Sequence, residues 1–321
     1  MRFQSKSKID AFGEVFHPSE AVEPILAGPV RASLMEWLTE IWAEDELREV
    51  SLAPRKRAMF HGAPGTGKTT LAHHLSARLG LPMVAVRPDR VVDCWLGSTG
   101  RNLGQLFDAA RPMPDGDGPV VLFFDEFDAI AQRRVSGARD AQREMNSVVD
   151  TLLQRIEAHA GFIIAATNHA DHLDPAVWRR FDLQISLETP GQFERERILA
   201  RYLRPFGLAP DALSALAMAC ETASPSLLRQ FCEGLKRNLV VGEKIGWDMR
   251  RDAVIARVLA SIEPHPDLGK PRLWALGIDD AAVQRMPWPL PDAAAVQAMP
   301  DTAPEAPPDT VVALRPAGRV S

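Results

Sequence analysis

Three cysteines are too few and too scattered for a disulfide framework. Cys94, Cys220 and Cys232 are odd in number and lack metal-ligand spacing, which fits a reducing, cytoplasmic compartment. No apolar run approaches the ~20 residues that cross a bilayer. Met1 to Asp10 is too polar for a secretory signal. A basic surplus is also missing: 37 Lys and Arg stand against 42 Asp and Glu, a formal net charge of −5. That balance argues against a general nucleic-acid coat, because neutralising phosphates needs a basic surface, although a local basic patch stays open. No internal repeat is evident, and the metalloprotease pattern H-E-x-x-H does not occur. His169 and His172 lack an obvious third ligand and predict no metal site. Against these absences stand 46% hydrophobic and 25% charged residues in 321, enough for one large domain or two modest ones.

The most informative stretch is Gly62-Ala63-Pro64-Gly65-Thr66-Gly67-Lys68-Thr69, followed by Thr70. It fits the phosphate-loop pattern G-x-x-x-x-G-K-[ST]. Glycines let the backbone turn its N–H groups inward, and the N-terminus of the following helix adds to the anion cradle. Lys68 can reach the β- and γ-phosphates, and the Thr69 hydroxyl can bind Mg²⁺. The context agrees. Ala58–His61 reads as a buried strand, and Leu71, Leu75 and Leu79 form one apolar stripe on a helix that Gly80 ends.

Strand candidates at 58–61, 82–86, 119–124, 161–166 and 183–187 alternate with helices. The continuous apolar runs Val120–Phe124 and Phe162–Ala166 suit a parallel sheet covered on both faces. Residues 30–48 read as one amphipathic helix whose Trp37 and Trp42 belong to the core. After 188 the pattern turns helical. Thr189-Pro190-Gly191-Gln192 reads as a capping box, Ser224-Pro225 as a second helix start, and helices are expected near 210–221, 224–241 and 250–261. The expected organisation is an α/β nucleotide-binding domain over 1–188, a helical domain over 189–262, and a Pro/Ala-rich, largely disordered tail over 263–321.

Phe124-Asp125-Glu126 ends the third strand candidate. An aspartate there can hold Mg²⁺, and the next glutamate can polarise water for attack on a γ-phosphate. Asp128 reads as structural. Asn168 ends the fourth strand candidate, where an amide can orient the attacking water. Arg179 and Arg180 are either a solvated pair or fingers that neutralise charge in a neighbouring subunit's site.

These motifs carry a resemblance. GAPGTGKT at 62–69, VLFFDEFDAIA at 121–131 and IIAATNHADHLDPAVWRRFD at 163–182 resemble the AAA+ ATPases, in the subfamily of katanin, spastin and the membrane-bound AAA proteases, over roughly residues 10–262. The resemblance implies a P-loop NTPase fold with a five-stranded parallel sheet in the order 5-1-4-3-2 and a small all-helical lid. It makes 62–69 the Walker A motif, Asp125 and Glu126 the Walker B acids, Asn168 sensor 1, and Arg179 and Arg180 arginine fingers. It also places pore loops at Trp95–Leu96, where Trp95 either grips substrate or packs under its loop, and at Gln132 to Asp140, a segment equally readable as a solvated basic loop. Part of the adenine pocket is expected near Ile9–Ile25. The chain departs from the family at Ser224-Pro225, where the subfamily has a Gly-Ala pair. Arg229 is a sensor-2 candidate or a surface arginine.

The leading expectation is therefore a Mg²⁺-dependent, chaperone-like ATP hydrolase. It would assemble as a homo-oligomer, commonly a hexamer in this family, and remodel, unfold or disassemble a protein substrate delivered by a separate adaptor or protease. Two alternatives are a nucleic-acid-associated ATPase or loader using a local patch around Arg133–Arg143, and a nucleotide-controlled assembly switch that threads nothing.

Overall fold

A computed structural model describes residues 8–91, 98–111, 119–133 and 140–297. The α/β part runs β1 (Gly13–Phe16), α1 (Gly28–Trp42), α2 (Glu44–Glu49), β2 (Arg57–His61), α3 (Lys68–Arg78), β3 (Met83–Val86), α4 (Pro88–Val91), α5 (Ser98–Ala109), β4 (Val121–Phe124), α6 (Asp140–Ala158), β5 (Phe162–Thr167), α7 (Pro175–Trp178) and β6 (Leu183–Ser186). The sheet order is β1-β3-β4-β5-β2-β6. Read from β6, the five parallel strands follow the expected 5-1-4-3-2 order. β1 adds a sixth strand, antiparallel to β3. Its four residues include one buried position, so it shows no apolar alternation by which a sequence reading could find it.

The apolar runs are continuous because both faces of the sheet are covered. Side chains alternate across a strand, and here neighbours feed different cores. Met59, Phe124 and Ile163 pack with α5 and α6 residues such as Leu103, Phe107 and Leu152. Phe60, Phe123 and Ile164 pack with Leu34, Trp37, Leu71 and Leu75 of α1 and α3. Each fully buried large side chain contributes about 1.5–3 kcal/mol. The result is a three-layer sandwich with the carboxyl ends of β2, β4 and β5 neighbouring one another.

The helix expected over 30–48 breaks at Ala43 into α1 and α2. Trp37 is buried and donates its indole N–H to the Arg55 carbonyl at 2.8 Å. Trp42, expected in the core, lies at the end of α1 with 45% exposure and the Arg78 guanidinium over its ring.

The helical part comprises α8 (Gln192–Leu203), α9 (Pro210–Ala219), α10 (Pro225–Gly242), α11 (Arg251–Ala260), α12 (Arg272–Leu276), α13 (Ala281–Arg285) and α14 (Ala293–Gln297). Ser224 caps α10 as expected, accepting from the Leu227 N–H at 3.2 Å. Thr189 does not cap α8. Gly191 holds that position without a side-chain bond, and Gln192 instead bonds Glu196 and Ser214. The Pro190 carbonyl is taken by the buried Arg195 guanidinium at 2.7 Å, which fixes the chain before the helix can start.

The disordered tail expected from 263 needs a larger correction. Residues 266–297 hold three short α-helices and two 3₁₀ turns, and Leu273, Trp274, Ala282, Val283, Met286 and Leu290 are buried in the core of α8–α11. Proline frequency misled because the prolines sit at helix starts, in turns and before α12, where none breaks a ladder; the apolar residues between them are buried. Residues 298–321 lie outside those described.

Trp274 stacks edge-on to Phe231 at 5.7 Å and donates its indole N–H to the Ile262 carbonyl at 2.9 Å. Trp274→Ala should cost about 3–5 kcal/mol in urea unfolding. A loss below the error of the measurement would mean that this segment does not belong to the core.

Candidate functional site

The loop between β2 and α3 is shaped by its glycines. Gly62, Gly65 and Gly67 have φ of 141°, 76° and 95°, values that L side chains rarely adopt. At Gly62 the approach is also close: a β-carbon would meet the Leu187 carbonyl oxygen, just past β6, at 2.2 Å. The loop can therefore leave β2 here only because Gly62 has no side chain to meet the backbone that follows β6.

Lys68 opens α3 and is 7% exposed. Its Nζ donates to the Gly62 carbonyl at 2.8 Å and the Ala63 carbonyl at 2.9 Å. Burial pulls its pKa below the ordinary lysine value, against the opposing attraction of Asp125 and Asp128. The ammonium is thus stored on the loop's own carbonyls, within the cradle that the sequence assigns to phosphates. The Thr69 hydroxyl donates to Asp125 Oδ2 at 2.7 Å. These two hard oxygen donors suit Mg²⁺, and they meet because β2 and β4 end at the same edge of the sheet.

Asp125 Oδ1 also accepts the Glu126 backbone N–H at 3.0 Å. Glu126 is held at φ 47°, an unfavourable conformation that costs of order 1–3 kcal/mol where it persists, and such strain clusters at functional sites. Asp128, read as structural, accepts from the buried Thr167 hydroxyl at 2.6 Å, and that oxygen accepts the His169 N–H at 3.0 Å. This chain of bonds fixes the backbone on both sides of Asn168.

Pro64, Gly65, Gly67, Lys68, Thr69, Thr70, Asp125, Glu126, Asn168 and Arg229 line one cleft of about 360 Å³, together with Tyr202, Pro225 and Ser226. The last three were not singled out as site residues. Tyr202 offers no sequence signal; Ser226 follows the departure at Ser224-Pro225 and donates its N–H to the Gly65 carbonyl at 3.2 Å. Arg229 reaches the cleft from α10, but its guanidinium is bonded to Glu233 at 2.7 Å and lies over the Tyr202 ring. The hydrogen bond from Arg229 holds the Glu233 carboxyl below its usual pKa.

Arg179 and Arg180 do not line this cleft. Arg179 is exposed at the end of α7, with its Nε on the Pro175 carbonyl at 3.3 Å. Arg180 is ion-paired with Glu157 of α6. A second cavity, about 420 Å³, adjoins the loop and is lined by Ile25, Leu26, Thr66, Leu187, Pro190 and Pro225, among others. Of the span expected to contribute to an adenine pocket only Ile25 reaches it; Ile9 is buried in the core with α5 and α6. Trp95 and Leu96 lie outside the described residues, as do Arg134, Gly137 and Arg139.

Strand order, phosphate loop and the acid at the end of β4 define a P-loop nucleoside-triphosphatase fold. Residues 58–189 match the family described as "ATPase family associated with various cellular activities (AAA)". An uncharacterized AAA family ATPase, y4kL of Sinorhizobium fredii, is 40% identical over 49% of this chain and 46% of its own length. The ATP-dependent zinc metalloprotease FtsH 3 of Sphaerobacter thermophilus is 32% identical over 67% of this chain and 45% of its own length. The chain thus spans just under half the length of these curated relatives. It belongs to the AAA+ ATPases. No helix among the described residues is long and apolar enough to cross a membrane.

Gly62→Ala should destabilise the chain by about 1–3 kcal/mol or more, from strain plus the clash with Leu187, and should weaken nucleotide binding in calorimetry. Wild-type stability with wild-type binding would contradict the close approach of the loop to β6.

Proposed function

We propose that this chain hydrolyses ATP and uses the energy to remodel a protein substrate. The observation that carries the reading is the Thr69–Asp125 hydrogen bond at 2.7 Å inside a cleft that Glu126, Asn168 and Lys68 also line. Phosphates would occupy the loop 62–69, taking Lys68 Nζ from the Gly62 and Ala63 carbonyls. The base would enter the cavity between Ile25, Leu26 and Pro225, which is mostly apolar, as base pockets are. Thr69 and Asp125 would hold Mg²⁺, which when bound neutralises charge on the phosphates. Glu126 would take a proton from the attacking water, and Asn168 would orient that water. Arg229 would reach the phosphates from the helical part, acting as a lid, once released from Glu233.

Arg179 and Arg180 fit a role in a neighbouring copy, because they sit at the surface away from their own chain's cleft. This supports a homo-oligomer, hexameric if it follows family habit, with sites shared between subunits. A polypeptide substrate, brought by a separate adaptor or protease, is favoured by the relative whose name makes it an ATP-dependent protease, whereas this chain carries no H-E-x-x-H. Trp95 and Leu96 are the substrate-contact candidates. The buried free thiols of Cys220 and Cys232 suit a reducing, cytoplasmic setting.

Glu126→Gln should retain ATP binding and lose turnover by roughly 10²–10⁴-fold, measured as phosphate release. The same variant, held in the ATP state, should retain its protein substrate for identification. Turnover at the wild-type rate would remove Glu126 from the reaction.

A further inference from the structure

We propose that His169, Asp171 and His172 form a binding site for a divalent transition-metal ion of the zinc class. The three lie in and beside the 3₁₀ turn Ala170–His172 that follows Asn168. In such a turn positions i and i+3 eclipse, and the imidazoles of His169 and His172 accordingly stack at 4.9 Å and 19°. A carboxylate oxygen of Asp171 lies 3.8 Å from His172 Nε2. One ligand atom from each residue falls within 4.8 Å of the others, the one such His/Cys/Asp/Glu group among the described residues. Ligands of tetrahedral zinc at ~2.0–2.1 Å stand roughly 3.4 Å apart, so small rotations of exposed side chains close the site. Two imidazoles and one carboxylate favour Zn²⁺, Co²⁺ or Ni²⁺ over Mg²⁺, which prefers oxygen donors.

The backbone beneath these side chains is already fixed. His169 N–H donates to Thr167 Oγ1 at 3.0 Å. His172 N–H donates to the His169 carbonyl at 3.0 Å, and the His172 carbonyl accepts from Arg133 N–H at 2.9 Å. Leu173 pairs with Gln132 in an isolated bridge. The ligands therefore stand on a braced turn, and ordering them costs side-chain freedom only. Beside them opens a cleft of about 550 Å³ lined by His169, Asp171, Asn168 and the start of the phosphate loop, which leaves room for water in the remaining coordination positions. An ion there would clamp the turn next to Asn168. No third ligand is obvious beside His169 and His172 in the sequence; the turn brings Asp171 into that place.

The test uses the full chain without an affinity tag, free of metal and nucleotide. Titration with Co²⁺ should give a visible ligand-field absorption saturating at one ion per chain. Zn²⁺ should displace it, and Mg²⁺ in excess should not. Loss of a mere supporting partner already costs a site 10–100-fold, so His169→Ala or His172→Ala should each weaken Co²⁺ binding at least about tenfold. The double variant, folded by circular dichroism, should show no band. Absence of the band in the wild type, or an unchanged titration in the folded double variant, would overturn the proposal. No ATP is present, so either result leaves the ATPase reading to its own test.

Discussion

One hydrogen bond organises this molecule. Thr69 and Asp125 are 56 residues apart in sequence, yet their side chains meet at 2.7 Å. They can do so only because β2 and β4 both flank β5, run parallel and end at the same edge. Parallel strands demand crossover connections, so helices must cover both faces. That requirement explains the continuous apolar runs and the two cores, one on each face of the sheet. The site occupies the carboxyl edge of the sheet, where loops leave buried strands and polar groups can reach water.

The cleft is closed on one side by the helical part, through short-range contacts. Gly65 and Ser226 share a backbone hydrogen bond, and a β-carbon on Gly65 would meet Ser226 Cβ at 2.9 Å and Ser224 Oγ at 3.0 Å. The cap of α10 is therefore also the wall of the phosphate loop. On the other side, His61 at the end of β2 packs edge-on to Trp178 at 5.3 Å, and Trp178 immediately precedes Arg179. Burial keeps His61 below the ordinary histidine pKa, helped by the charge of Lys68. The loop thus touches the helical part through Gly65, and its root touches Trp178, the residue before the arginine pair.

Much of this was legible in the sequence because the relevant signals are local. The loop 62–69 is a fixed pattern, and strands such as Val121–Phe124 are apolar on both faces. The acid after β4 and the amide after β5 follow directly from those strands. What escaped depended on partners distant in sequence. Tyr202 reaches the cleft only because α8 packs on α10. Trp274 and Val283 look like residues of a proline-rich tail until the core of α8–α11 is seen to need them. Trp42 has an apolar ring and helical spacing, yet the chain turns at Ala43 and leaves it outside. Asp171 becomes a candidate third ligand only when the 3₁₀ turn around Ala170 brings it beside His169 and His172.

The central claim is that ATP is turned over at a seam between identical chains, with arginines from one copy completing the cleft of the next. Subunit mixing tests it most directly. Lys68→Ala chains should not bind nucleotide, and chains lacking Arg179 and Arg180 should not complete a neighbour's cleft. The account predicts that each variant alone loses turnover, by roughly 10³–10⁵-fold for the arginine pair. Mixing them should restore part of it, as intact arginines meet intact loops. Inactive variants that stay inactive at every mixing ratio, or an arginine variant that works at full rate alone, would contradict it.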